Sequence, residues 1–213
     1  MPTVLTIDDI REAATRIRPH VHRTALMTCA GIDRVAGCRL VFKCENLQKA
    51  GAFKARGAAN AVFALTDAQA GRGVATHSSG NHAAALALAA ARRGMAAHIV
   101  MPENSPAVKK KAVAGYGAHI TCCAPSLAAR EKRLQEVIER TGAVFIHPYD
   151  HPRVVAGQGT AALELVEDAG ELDAVLAPVG GGGLMSGTCI AVHALAPRTR
   201  LVGAEPAGAD DAF

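Results

Sequence analysis

From residue 73 onward, short runs rich in β-branched residues alternate with longer stretches patterned for helix, and this alternation restricts the possible folds more than any other property of the chain. "GVATH" leads into "NHAAALALAAARRG", "AAHIVMP" into "PAVKKKAVAGYG", and "AHITCC" into "SLAAREKRLQEVIERTG", followed by "AVFIHP". A helical pattern over 153–169 then precedes the strand "LDAVLAPV", a glycine turn, a helix through "MSGTCIAVHAL" and the strand "RLVGAEP". Gly94, Gly117 and Gly142 each close a helical pattern, where a left-handed cap is wanted. Repeated strand and helix of this kind predict an α/β fold of parallel sheets with helices on both faces, in which ligands bind at the turns beyond the carboxyl ends of strands. Ahead of these repeats, Thr6 with Asp9 resembles a capping box. Ile10, Ala13, Ala14 and Ile17 then recur at helical spacing up to Pro19.

A chain of 213 residues, half of them apolar, can bury a sizeable core. Residues 174–197 carry no Asp, Glu, Lys or Arg, but Pro178 and four successive glycines rule out a membrane span. The start, "MPTVLTIDDI", has no basic segment followed by an apolar one, so no secretory signal is visible and the expected location is the cytoplasm. A net charge of +4 with one short basic run, Lys109 to Lys111, two tyrosines and no tryptophan is too little for a nucleic-acid footprint. The six cysteines, Cys29, Cys38, Cys44, Cys122, Cys123 and Cys189, show neither zinc-ligand spacing nor a disulfide framework and read as reduced core thiols.

Two strand-to-helix turns carry unusual residues. In "VGGGGLMSG", four glycines in a row cost on the order of 2 to 4 kcal/mol to order relative to alanine unless the backbone needs them. Bare amides between a strand and a helix N-terminus form a nest for an anion, most often phosphate. A dinucleotide fingerprint would need glycine where Met185 or Ser186 stands, and a P-loop would need lysine where Gly187 stands. Glu205, about twenty residues on at the end of the next strand, keeps a dinucleotide site open as an alternative. In "THSSGNH", Ser78, Ser79, Asn81 and His82 crowd the start of an alanine-rich helix, an arrangement that suits a carboxylate.

The stretch "NLQKAGAFKARGAANAV" raises a different question, because Lys54 stands among alanine and glycine with no acid beside it. Desolvation lowers a lysine's pKa and makes its amine a nucleophile. Together with the phosphate nest and the carboxylate turn, it completes the parts list for pyridoxal phosphate: an amine for the Schiff base, a cup for the phosphate and a seat for an amino-acid carboxylate.

"ENLQKAGAFKARGA", "SSGNH", "VGGGGLMSG" and "AEPAGADD" resemble, in order and spacing, the fold-type-II pyridoxal-phosphate enzymes, in particular the serine racemase and serine/threonine dehydratase family, over essentially the whole chain. The resemblance implies the tryptophan synthase β-like fold, with a small domain at 51–148 inserted into a larger one formed by 1–50 and 149–213. The larger domain is expected to be incomplete, because family members continue past Phe213. It implies that Lys54 carries the cofactor and acts as base at Cα, with Ser79 as base on the opposite face and Phe53 flanking the ring. Gly180, Gly181, Gly182 and Gly183 would hold the phosphate and Asn81 the ring oxygen, while Ser78, Ser79, Asn81 and His82 would seat the substrate carboxylate. Glu205, the Ala209 carbonyl and Asp211 would bind a divalent cation, Mg, Mn or Ca. The implied activity is dehydration of L-threonine or L-serine to an oxo acid and ammonia, or serine racemisation, in a homodimer; a catalytically impaired or regulatory form is the alternative. Ala83 stands where the family usually has glycine, a methyl expected to lie beside the carboxylate turn.

Overall fold

The computed structural model describes residues 4–209. Helix α1 (Ile7–Ile17) is capped by Asp9, whose carboxylate accepts the Thr6 N–H at 2.8 Å, and it buries Ile10, Ala13 and Ile17 as one stripe. A short antiparallel pair, β1 (Leu26–Met27) and β2 (Phe42–Lys43), flanks α2 (Ala30–Ala36). Then come α3 (Lys54–Phe63), α4 (Asp67–Ala70), β3 (Val74–His77), α5 (Asn81–Arg92), β4 (Ala97–Pro102), α6 (Ala107–Gly115), β5 (His119–Cys123), α7 (Leu127–Thr141) and β6 (Val144–Phe145). The chain continues through α8 (Pro152–Ala169), β7 (Ala174–Pro178), α9 (Gly183–Leu195) and β8 (Arg200–Ala204).

Four strands form a parallel sheet in the order β5-β4-β3-β6, with Val74 opposite both Ala97 and Val144. Side chains alternate across the sheet, and both faces are covered, so the strands read as continuous apolar runs. Val74, Ile99 and Met101 pack with α3 and α5 on one side; Ala75, Val100 and Cys123 pack with Leu134 and Val137 of α7 on the other. A separate parallel pair, β7 and β8, joins α1, α8 and α9 in a second core of Ile10, Ala13, Leu163, Val175 and Val192.

Helix α8 runs between α3 and α9, and glycine makes both approaches possible. A Cβ on Gly157 would fall 2.6 Å from the Gly57 Cα, and one on Gly187 would fall 2.6 Å from the Gly159 amide. The expected helix ends are present, with Gly94, Gly117 and Gly142 at φ of +69°, +79° and +68°.

Two expectations are corrected. The thiols are not all core: only Cys123 is buried, while Cys29, Cys38 and Cys122 are exposed and Cys44 and Cys189 half-buried. Adjacent residues on edge strand β5 face opposite ways, so Cys122 and Cys123 cannot share one core. The "AVFIHP" run pairs with β3 only through Val144 and Phe145 before Pro148 and the following turn end the ladder.

Candidate functional site

Lys54 is the first residue of α3, directly after a tight turn in which Ala50 and Gly51 both adopt left-handed backbone, at φ of +56° and +71°. Two residues on, Arg56 is fully buried and anchors the helix. Its guanidinium donates to both oxygens of Glu45, both oxygens of Glu164 and the Thr160 hydroxyl. Lys43 Nζ completes the cluster 2.6 Å from Glu164. This cluster fixes the rotation of α3 and aims Lys54 to the opposite side, at the turn that follows β6.

There the Lys54 ammonium donates to the Pro148 carbonyl at 2.7 Å, with Nζ 5.4 Å from the centre of the Phe53 ring. A neutral carbonyl does not offset the cost of burying a cation as a carboxylate does. Burial therefore pushes the Lys54 amine down to about 8, within reach of the free base near neutral pH.

The same turn meets the start of α5. His82 is buried, with Nε2 3.4 Å from the Ile146 carbonyl and no partner on Nδ1. Burial, reinforced by the Lys54 charge, holds its imidazole neutral, at about 3. The histidine side chain thus turns into the protein, while Ser78 and Ser79 are half-buried and Asn81 is exposed at the helix start. The Ser78 hydroxyl accepts the Gly80 N–H at 3.3 Å, and the Ser78 N–H continues the sheet by donating to Val100.

The glycine loop closes against the next residue of that turn, Tyr149. A Cβ on Gly181 would lie 2.2 Å from the Tyr149 ring, and one on Gly183 would lie 2.9 Å from its carbonyl oxygen. Gly180 and Gly182 face open space instead, and Gly182 caps α9 at φ +81°. No acid occupies the first turn of α9, so its free amides are available to an anion. The glycines therefore divide: two make room for Tyr149, and two keep the space over the helix N-terminus empty.

Lys54, His82 and the glycine loop are thus brought together by one segment, residues 146–149. An amine of lowered pKa, an aromatic neighbour and an amide cup open to an anion fit a phosphorylated aldehyde cofactor of pyridoxal type. Glu205 is half-buried after β8, and Ala209 closes a turn by donating its N–H to the Pro206 carbonyl at 2.8 Å; Asp211 lies outside the described residues. Among the described residues no group of three or more His, Cys, Asp or Glu is gathered as a metal site, and no helix is long and apolar enough to cross a membrane. The sequence reading missed Pro148, Tyr149 and the Arg56 cluster. The signal for the first two was available, since "HPYDHP" is itself a strand-to-helix turn.

A family model described as pyridoxal-phosphate dependent enzyme matches residues 17–213. A β-hydroxyaspartate dehydratase of Paracoccus denitrificans (strain Pd 1222) is 54% identical over 208 residues, covering 98% of this chain and 66% of the relative. The serine racemase of Dictyostelium discoideum is 50% identical over 213 residues, covering 100% of this chain and 65% of the relative. Its crystal structure matches with a TM-score of 0.95 at 49% identity, covering 98% of this chain and 68% of that one. A threonine deaminase from T.th. matches with a TM-score of 0.93 at 46% identity, covering 98% and 67%. The chain spans just under two thirds of the length of the curated relatives it matches. These matches set aside the dinucleotide alternative for the glycine loop. On its fold and on this agreement over nearly its whole length, the chain belongs to the fold-type-II pyridoxal-phosphate dependent enzymes.

Proposed function

We propose that this chain carries the catalytic half-site of an ammonia-lyase that dehydrates L-threonine or L-serine to 2-oxobutanoate or pyruvate and ammonia, with serine racemisation as a second outcome of the same first proton transfer. The observation that carries this reading is the half-buried Lys54 amine, held by the Pro148 carbonyl at 2.7 Å with no carboxylate paired to it among the described residues. Pyridoxal phosphate, when bound, supplies an aldehyde that captures amines and a ring that withdraws electrons from the substrate Cα.

The chain's own residues do the rest. Lys54 would hold the cofactor and, as a free base, would accept the substrate Cα proton. Gly180 to Gly183 and the amides at the start of α9 would hold the phosphate, Phe53 would flank the ring and Asn81 would hydrogen-bond the ring oxygen. Ser78, Ser79, Asn81 and His82 seat the substrate carboxylate at the start of α5. His82 contributes through its backbone, since its imidazole is turned inward. Ser79 would deliver or remove a proton on the face opposite Lys54, which racemisation requires and dehydration does not. In dehydration the β-hydroxyl leaves as water, and hydrolysis then yields ammonia and the oxo acid.

Two units belong to this reading, residues 51–148 as the small domain and 1–50 with 149–213 as the larger one; the separate four-stranded and two-stranded sheets support it. A homodimer and a divalent cation at Glu205, Ala209 and Asp211 complete it. The 54% identity to a β-hydroxyaspartate dehydratase favours a second reading in which the hydroxyl-bearing substrate carries an additional carboxylate.

The test is to add the coenzyme to the purified chain, record visible absorption, reduce with borohydride and map the labelled peptide. A label on Lys54, followed by oxo-acid release from threonine, serine or β-hydroxyaspartate or by exchange of serine enantiomers, supports the reading and ranks the substrates. Coenzyme uptake without turnover identifies a catalytically silent or regulatory protein, and no uptake overturns the reading.

A further inference from the structure

The turn that presents the Pro148 carbonyl to Lys54 is itself held by a histidine that the chemistry above does not use. His147 Nδ1 accepts the Asp150 N–H at 2.8 Å and the Tyr149 N–H at 3.4 Å, closing the turn over Pro148. The His147 ring also stands edge-on to Tyr149, with centroids 4.5 Å apart, and Tyr149 in turn lies against Gly181. Immediately after it, His151 Nδ1 accepts the Arg153 N–H at 3.2 Å and caps α8. Both caps need an unprotonated Nδ1, because a protonated imidazole has no acceptor to offer.

We propose that His147 is a positioning residue: its neutral Nδ1 locks the 147–150 turn so that the Pro148 carbonyl meets the Lys54 amine and Tyr149 backs the glycine loop, and its protonation releases both. The inference rests on the reading of Lys54 as the reactive amine. The charged and titratable groups facing His147 come from several elements: Lys54 of α3, His77 of β3 with its ring 6.1 Å away, His82 of α5, Glu131 of α7, and Asp150 and His151 of its own turn. Burial first, and then the Lys54 charge, hold the His147 pKa below that of an ordinary histidine against the opposing pull of Asp150 and Glu131. At neutral pH the cap is therefore formed, and it is lost only on the acid side.

NMR on the full chain tests this without coenzyme, following the His147 ring, exchange of the Asp150 amide and the Lys54 pKa through its Cε signal. In the wild type, Asp150 exchange, corrected for its intrinsic pH dependence, is expected to quicken about three- to tenfold as pH falls through the His147 titration, the worth of one net hydrogen bond. His147→Ala is expected to show the faster exchange at every pH and a Lys54 pKa moved further down from about 8, because the ammonium loses the carbonyl that favours its charged form. His147→Asn restores both, because its side-chain oxygen accepts the same two N–H groups and does not titrate. An Asp150 amide that ignores the His147 titration overturns the inference, as does a folded His147→Ala whose Lys54 pKa stays at the wild-type value. None of these readouts needs coenzyme uptake, so failure of the proposed function and failure of the cap are told apart.

Discussion

The guanidinium of Arg56 and the carboxylate of Glu164 meet through two parallel contacts of 2.8 Å, across 108 residues of sequence, with the arginine wholly buried. Glu45 grips the same guanidinium from the other side, and Lys43 balances the second acid, so two cations and two anions share one partly buried site. Because Arg56 lies two residues after Lys54, this cluster couples the chain's N-terminal segment and α8 to the placement of the Lys54 amine.

Glu164→Gln removes the bidentate acid from the buried Arg56 and leaves Lys43 only Asp168, 4.0 Å away. It should therefore lower stability by about 3 kcal/mol, the scale for breaking a buried pair. Although burial alone would raise the Glu164 pKa, hydrogen bonds from Arg56 and Lys43 outweigh it and hold the carboxyl below the usual carboxylate range. The stabilisation is complete above the pKa of an unfolded glutamate and is lost as pH falls through the lower folded value. Urea titrations across that acid range should show a falling limb in the wild type that is smaller in Glu164→Gln.

Lys54 gives the opposite sign. Its folded pKa of about 8 lies below the 10.5 of an ordinary lysine, so the unfolded chain binds the extra proton and stability should rise between those two values. At neutral pH the half-buried ammonium costs the fold roughly 1 to 3 kcal/mol. Lys54→Met is accordingly expected to raise the melting temperature of the coenzyme-free chain while abolishing covalent coenzyme capture. In the wild type, the rate of amine labelling at Lys54 should rise with a midpoint near 8.

How much of this the sequence disclosed depended on contrast. Strands and helices from residue 73 onward were readable because apolar runs, helical periods and glycine caps alternate sharply there. Helix α3 was not, since every residue from Ala55 to Val62 is buried and a helix buried all round has no amphipathic period to detect. Helix α2 was hidden for the reverse reason, because it buries no residue and is tied down through Asp33, which accepts the Leu40 N–H at 2.8 Å. At the site, Lys54 and the glycine loop stood out by composition. Pro148 and His147 act through a carbonyl and a ring nitrogen whose roles depend on distant partners, and residue type alone does not reveal such roles.

Ala50, the only non-glycine residue at positive φ among those described, holds its left-handed conformation at φ +56° against a steric penalty of about 1 kcal/mol. Ala50→Gly removes that penalty but adds backbone freedom to the unfolded chain, so the gain should be a few tenths of a kcal/mol at most. Chemical denaturation of the two proteins compares them. A clear loss of stability would mean that the Ala50 methyl makes a packing contribution larger than the strain.

The division of labour within the glycine loop makes the sharpest prediction, because adjacent substitutions should fail in different ways. Gly180→Ala places a methyl where nothing lies within 4 Å, at a backbone conformation alanine accepts, so melting temperature should not change. The same methyl occupies space that the proposed phosphate needs, and coenzyme affinity should fall about tenfold or more, equivalent to 1.4 kcal/mol. Gly181→Ala drives a methyl to 2.2 Å from the Tyr149 ring and should destabilise the coenzyme-free chain by roughly 1 to 3 kcal/mol. In a Tyr149→Ala background that penalty should largely vanish, since the two residues share one contact and their effects are not additive. Calorimetry on the single and double variants, alongside coenzyme titration, separates a glycine kept for the cofactor from one kept for its neighbour. Equal stability losses at 180 and 181 would show that the loop's smallness serves packing alone.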